Sequence, residues 1–173
     1  GVSFILSPYA RNPDLWRDLS VAEGHELWLE TPMENGKYPL TDPGPQALMA
    51  RTSFHQNQKK LIWTMTRTTG YAGLAGYTDN AFDNGQAILR GRMEEVFRRG
   101  VGYFELNPQG AEYVEMAAVE KSAPYARNRS DFDESTQNFQ VWLNQLEQAA
   151  AQEGFAVGAF RPSPALIEAL SHW

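Results

Sequence analysis

The chain has 173 residues, 42% of them hydrophobic, no Cys and a formal net charge of −6. That length and apolar content suit one domain with its own core and exclude a disordered segment. The lack of Cys excludes disulfides, thiolate metal sites and thiol catalysis.

The charge is uneven: residues 111–173 hold nine acidic against four basic groups, and residues 1–110 hold twelve against eleven. No basic surface of the kind nucleic acid requires emerges from this distribution, so no nucleic-acid partner is expected. No apolar run approaches the roughly 18–20 residues of a membrane span, and none has the form of a leader peptide. The expectation is a cytoplasmic protein without a membrane partner.

Val2–Ser7 is predicted as a short strand, followed by Asn12-Pro13 as a helix start. Leu15, Trp16 and Leu19 then mark a helix with a buried face, to about Ser20. His25–Glu30 is predicted as a strand, and Thr31–Pro45, rich in Pro and Gly, as a loop. Gln46–His55 and Lys60–Thr69 are predicted as the arms of a hairpin joined by Gln56-Asn57-Gln58-Lys59. Leu61, Trp63 and Met65 alternate with Ile62, Thr64, Thr66 and Thr68 there, and Thr favours a pleated surface.

Leu74–Thr78 is predicted as another short strand. Leu89, Met93, Val96 and Phe97 lie at helical spacing within Gly85–Arg99, with Gly100 as its stop. Val101–Leu106 and Ala111–Lys121 are predicted as two strands around the turn Asn107-Pro108-Gln109-Gly110. Phe139, Trp142, Leu143, Leu146, Ala149 and Ala150 give a full apolar stripe to a helix over Ser135–Gln152, which Gly154 ends. Phe155–Phe160 is predicted as a strand and Pro164–Ser171 as a closing helix.

This order predicts an α+β fold: a single domain over residues 1–173 with a mixed, largely antiparallel sheet and three to four packed helices. The word Pro-Tyr-Ala-Arg-Asn occurs at Pro8–Asn12 and again at Pro124–Asn128. Its recurrence suggests an internal duplication, with related halves near residues 1–80 and 100–173.

Each copy presents a Tyr hydroxyl and an Arg fork beside a candidate helix start, a combination suited to gripping an anion. Tyr9, Arg11, Tyr125 and Arg127 are therefore candidate ligand-binding residues. Arg51 and Arg67, on the two arms of the predicted hairpin, are candidates to line a pocket with them. His25, His55 and His172 match no metal-ligand spacing, so no metal is expected, and no sequence signal calls for a cofactor. Glu105, Glu112, Glu115 and Glu120 are predicted as solvated charges.

The segment from Leu74 through Arg99-Gly100-Val101 to Leu106 resembles the central strand–helix–strand of acyl-CoA-dependent N-acetyltransferases. The pyrophosphate loop of that family is replaced here by Asp83-Asn84-Gly85-Gln86-Ala87.

Two functions are expected on these grounds. The first is a non-enzymatic binding or accessory module that meets a basic protein partner through an acidic face containing Glu112, Asp131, Asp133 and Glu134. The second is a small-molecule transferase, acyltransferase-like, that holds an anionic ligand at the two repeat turns.

Overall fold

A computed structural model describes residues 1–83, 85–129 and 138–173. Five strands form one sheet in the order β1-β2-β3-β4-β5. They are β1 (Ser3–Leu6), β2 (Glu26–Thr31), β3 (Gly73–Gly76), β4 (Gly102–Glu105) and β5 (Tyr125–Arg127). The helices are α1 (Pro13–Ala22), α2 (Phe54–Met65), α3 (Gln86–Arg98), α4 (Glu112–Glu120), α5 (Phe139–Glu153) and α6 (Pro164–His172).

The strand pairs β1–β2, β2–β3 and β3–β4 are all parallel. Strand order follows chain order with a helix in every connection, the arrangement of βαβ units. The fold is therefore α/β with a parallel sheet. The antiparallel α+β expectation is overturned.

Both predicted hairpins fail for the same reason. Residues 54–65 form α2 instead of a strand pair. Ser53 and Gln56 make a reciprocal capping box, and Asn57, Leu61 and Thr64 turn inward at helical spacing. That box was legible as Ser-x-x-Gln, and it starts a helix by satisfying orphan amides at both its ends. Likewise Val114, Ala117 and Ala118 are the buried face of α4, where a strand was expected. In both segments the apolar residues fit period 2 and period 3.6 alike, and the local sequence cannot break the tie. The expected strand over Phe155–Phe160 is absent as well.

The two copies of the repeated word adopt different structures. The first is a turn between β1 and α1, whereas in the second Tyr125, Ala126 and Arg127 are strand β5. An internal duplication finds no support in this geometry. Nor does α1 bury its apolar stripe, because Leu15, Trp16 and Leu19 are each about half exposed.

The chain separates into two compact units, Gly1–Ala126 and Arg127–Trp173. In the first, Leu29, Leu74 and Tyr103 stand in one cross-strand row and pack with Leu61, Leu89, Met93, Val96 and Val114. On the other face Trp28, Gly73 and Gly102 share a row. Two adjacent strands carry Gly there, and the Trp28 ring occupies the space their side chains would need. A Cβ on Gly73 would strike the Trp28 ring and lie 2.7 Å from the Gly102 carbonyl oxygen.

In the second unit Phe139 and Trp142 of α5 pack on Phe160, the Trp142 ring centroid 3.8 Å from that of Phe160. Gly154 ends α5 in the left-handed region, at φ 87°. No helix of the described residues is long and apolar enough to cross a membrane.

The close approach at Gly73 makes a direct prediction. Gly73→Ala should destabilise the protein by about 1–3 kcal/mol, since neither the indole nor the backbone carbonyl can withdraw without cost. Urea denaturation of the two proteins measures this.

Candidate functional site

A parallel sheet sends every strand's carboxyl end to the same edge, where ligands of open α/β sheets bind. At that edge the loops after β2, β3 and β4 meet through carboxylates. The Glu105 side chain, at the end of β4, is fully buried. Its Oε1 accepts from the Thr78 amide at 3.0 Å and the Asn107 amide at 2.9 Å, and its Oε2 accepts from Thr78 Oγ1 at 2.5 Å.

Thr78 Oγ1 in turn accepts from the Ala111 amide, at 2.9 Å, and Asn107 Nδ2 donates to the Thr78 carbonyl. Gly110 lacks a side chain because Glu105 fills the space a Cβ would take. Glu105 is thus a buried brace, and the expectation of a solvated charge is corrected. Glu120, also expected to be solvated, pairs with Arg90 of α3 at 2.6 Å.

Asp79 performs the same service between the loops after β2 and β3. Its Oδ2 accepts from the Gly36 amide and its Oδ1 from the Ala81 amide, each at 2.9 Å. Glu34, half-buried beyond the end of β2, accepts from the Ala50 amide through Oε2 at 2.7 Å. Its other carboxylate oxygen has no partner among the described residues.

Helix α2 fixes the far side of this loop. Asn57 receives the Met49 amide and donates to the Met49 carbonyl, and Lys60 Nζ donates to the Ala47 carbonyl at 2.8 Å. These contacts hold the loop that carries Glu34 from the side of α2.

Two tyrosines, Tyr103 and Tyr113, lie close to these carboxylates. Tyr103 is fully buried, and its ring leans along the strand so that the hydroxyl occupies the space above Gly76. Neither the Tyr103 nor the Tyr113 hydroxyl finds a partner among the described residues, nor does Thr31 Oγ1. Burial, reinforced by Glu105, holds the Tyr103 phenol well above its ordinary range. Burial likewise pushes Tyr113 up to about 12, with Asp83, Glu105 and Asp79 adding to the shift. Tyr125 stacks on Tyr103 at 6.3 Å.

The candidates chosen from sequence are dispersed. The Tyr9 hydroxyl accepts from the Gln46 amide at 3.0 Å and its ring covers Gly44, so it braces the loop after β2. Arg67 donates from Nε to the Pro8 carbonyl at 2.8 Å and lies over the Trp63 ring. Tyr9 and Arg67 therefore meet around Trp63, 5.5 Å from the Tyr9 ring.

Arg11 is exposed beside them, whereas Arg51 is exposed at the other end of α2. Twelve helical residues, about 18 Å, separate Arg51 from Arg67. Tyr125 and Arg127 lie in β5 and are half-buried. Glu112 opens α4 and is exposed, and Asp131, Asp133 and Glu134 lie outside the described residues.

His25 sits at the opposite edge of the sheet, its Nδ1 2.9 Å from the Val2 carbonyl oxygen, beside a shallow depression of about 500 Å³. His55 and His172 are exposed. No group of three or more His, Asp or Glu among the described residues could hold a metal ion.

Comparison with known families decides the class. The model of the divergent polysaccharide deacetylases matches residues 1–173. The chain belongs to that family. Its fold is similar to the crystal structure of an uncharacterized protein from Agrobacterium tumefaciens C58, with a TM-score of 0.89 and 27% identity. That match covers 99% of this chain and 71% of the other. No curated protein matches.

Membership of a divergent polysaccharide deacetylase family overturns both functions expected from sequence, the acidic-face accessory module and the acyltransferase. The acyltransferase likeness rested on one strand–helix–strand, which any βαβ sheet supplies. Glu34, Asp79, Thr78 and Asn107 were the residues missed. The Asp79-Asn80 pair opening a helical turn was a visible signal, but Glu34 gave none until the loop was folded.

Two outcomes follow for the site. Glu105→Ala should cost about 3 kcal/mol or more, because it opens a cavity and strands three buried donors, while Glu105→Gln should cost less. Chemical denaturation separates the two. Tyr113 ionises near 10 when unfolded and near 12 when folded. The unfolded state therefore loses its proton first, and stability falls as pH rises from about 10 to 12. Tyr113→Phe should lessen that fall and leave the Tm near pH 7 almost unchanged.

Proposed function

We propose that this chain is a carbohydrate-modifying hydrolase domain that removes acyl groups from a saccharide. The observation that carries this reading is the match of all 173 residues to the divergent polysaccharide deacetylases. The family name suggests an N- or O-acetylated sugar as the substrate class. The arrangement at the carboxyl edge of the sheet supports a site there, since a carboxylate with one oxygen pinned and the other unpartnered is positioned to take a proton.

In such a reaction a water oxygen attacks the acetyl carbonyl carbon. The water's proton passes to Glu34, and the bond to the sugar nitrogen or oxygen breaks. The proton then goes to the departing amine or hydroxyl, leaving acetate. Glu34 acts as the base. Asp79 is a positioning residue, because its oxygens hold the amide of Gly36, on the loop that carries Glu34, and the amide of Ala81, on the loop after β3.

The test is acetate release from N- and O-acetylated oligosaccharides of several linkages. The wild-type protein should release acetate. Glu34→Gln should lower kcat/KM by at least about a hundredfold, the usual scale of a lost acid–base group. The Gln carbonyl can still accept from the Ala50 amide, so the Tm should stay close to that of wild type. Absence of release from every acetylated saccharide, or full activity in Glu34→Gln, refutes the assignment.

A further inference from the structure

Beyond the loop that carries Glu34, helix α3 buries a cation that makes no ion pair among the described residues. Arg92 of α3 is only 2% exposed. Its Nε and Nη1 have no hydrogen-bond acceptor among the described residues. The guanidinium carbon lies 3.2 Å from the centroid of the Phe54 ring.

Phe54 is the first residue of α2, so the guanidinium reaches the amino end of a twelve-residue helix. The stack is built into the sequence. A Cβ on the neighbouring Gly91 would lie 2.9 Å from Phe54 Cε2, so Gly at that position gives the ring its place. Glu95 is the nearest acidic influence on Arg92, yet its oxygens are held by Arg98 and by Arg99, the latter at 2.9 Å.

An aromatic face offsets only part of the cost of desolvating a guanidinium, and donors left without acceptors add to that cost. The amino end of α2 adds positive potential of its own. The capping box takes up the Gln56 amide, whereas the first amides of any helix lack intrahelical acceptors. A planar cationic fork held flat on an aromatic ring beside a helix amino terminus has the recognition chemistry of an oxyanion.

We propose that Arg92, Phe54 and the first turn of α2 form a binding site for a small oxyanion, a carboxylate or phosphate group. The site does not depend on the hydrolase assignment. The ligand group could arrive as a free ion or as the acidic substituent of a sugar, and both carry the same charge geometry.

The experiment is a thermal-shift titration of the whole chain with inorganic phosphate, sulfate and glucuronate, each against sodium chloride at equal ionic strength. The wild-type protein should show a saturable rise of several degrees with at least one of the three. A response to phosphate or sulfate alone assigns a free-ion site, and a response to glucuronate assigns an acidic-sugar site.

Arg92→Met, which keeps the bulk and removes the fork, should abolish the rise. Arg92→Lys keeps the charge and the cation–π contact but loses the fork, and should weaken the apparent affinity at least tenfold. No rise in wild type beyond the chloride control overturns the proposal. An undiminished rise in Arg92→Met does so too. Where Arg92→Met fails to fold, the Lys variant decides, and unchanged affinity there overturns it.

Discussion

The buried carboxyl group of Glu105 is the contact on which the carboxyl edge of the sheet depends. A carboxylate with no access to solvent is costly unless its oxygens are satisfied. Here Thr78 supplies an amide and a hydroxyl, and Asn107 supplies an amide. The satisfied side chain ties the loop after β3 to the loop after β4. Ala111, bonded to the same Thr78 hydroxyl, extends that tie to the start of α4. Losing Glu105 would free three donors at once, so the local structure is cooperative, and Gly110 follows from it because the side chain needs that space.

Around this brace the rest of the edge is assembled by backbone amides rather than by pairs of side chains. Asp79 holds Gly36, Glu34 holds Ala50, and Asn57 holds Met49. The long connection from β2 to α2 has little regular structure of its own. Its shape is imposed from outside, by a carboxylate on the next loop and by side chains on the helix that follows it. Tyr9 contributes a further restraint at Gln46. Glu34 is therefore presented from a firmly held loop, a requirement for any group that must meet a substrate in one geometry.

Much of the local structure was legible in the sequence. Strands β1, β2, β3 and β4 fall within or beside the segments expected for them, and so do helices α1, α3, α5 and α6. The segments that misled, 46–69 and 111–121, are those whose apolar residues satisfy two periods. A capping box at Ser53 and Gln56 outweighed Thr content in the first, and the burial of Val114, Ala117 and Ala118 decided the second. Misreading those two helices as strands turned parallel crossovers into hairpins, and from that single error came the antiparallel α+β fold and the pocket imagined between Arg51 and Arg67. The two copies of the repeated pentapeptide take different structures, since one turns the chain and the other extends it.

The sequence by itself determined composition, the exclusion of thiol chemistry, and the positions of most strands and of the strongly periodic helices, because each is set by residues close together along the chain. Only the tertiary structure decided the direction of the strands and the company each polar side chain keeps. Glu105 and Glu112 look alike in the sequence, yet one is buried among donors and the other lies on an exposed helix end. Arg92 and Arg90 are two residues apart on one helix, yet Arg90 is paired with Glu94 and Glu120, while Arg92 lies buried against Phe54. The physical reason is the same in both cases: the free energy of a charge depends on its solvent and its neighbours, and these come from segments remote in the chain.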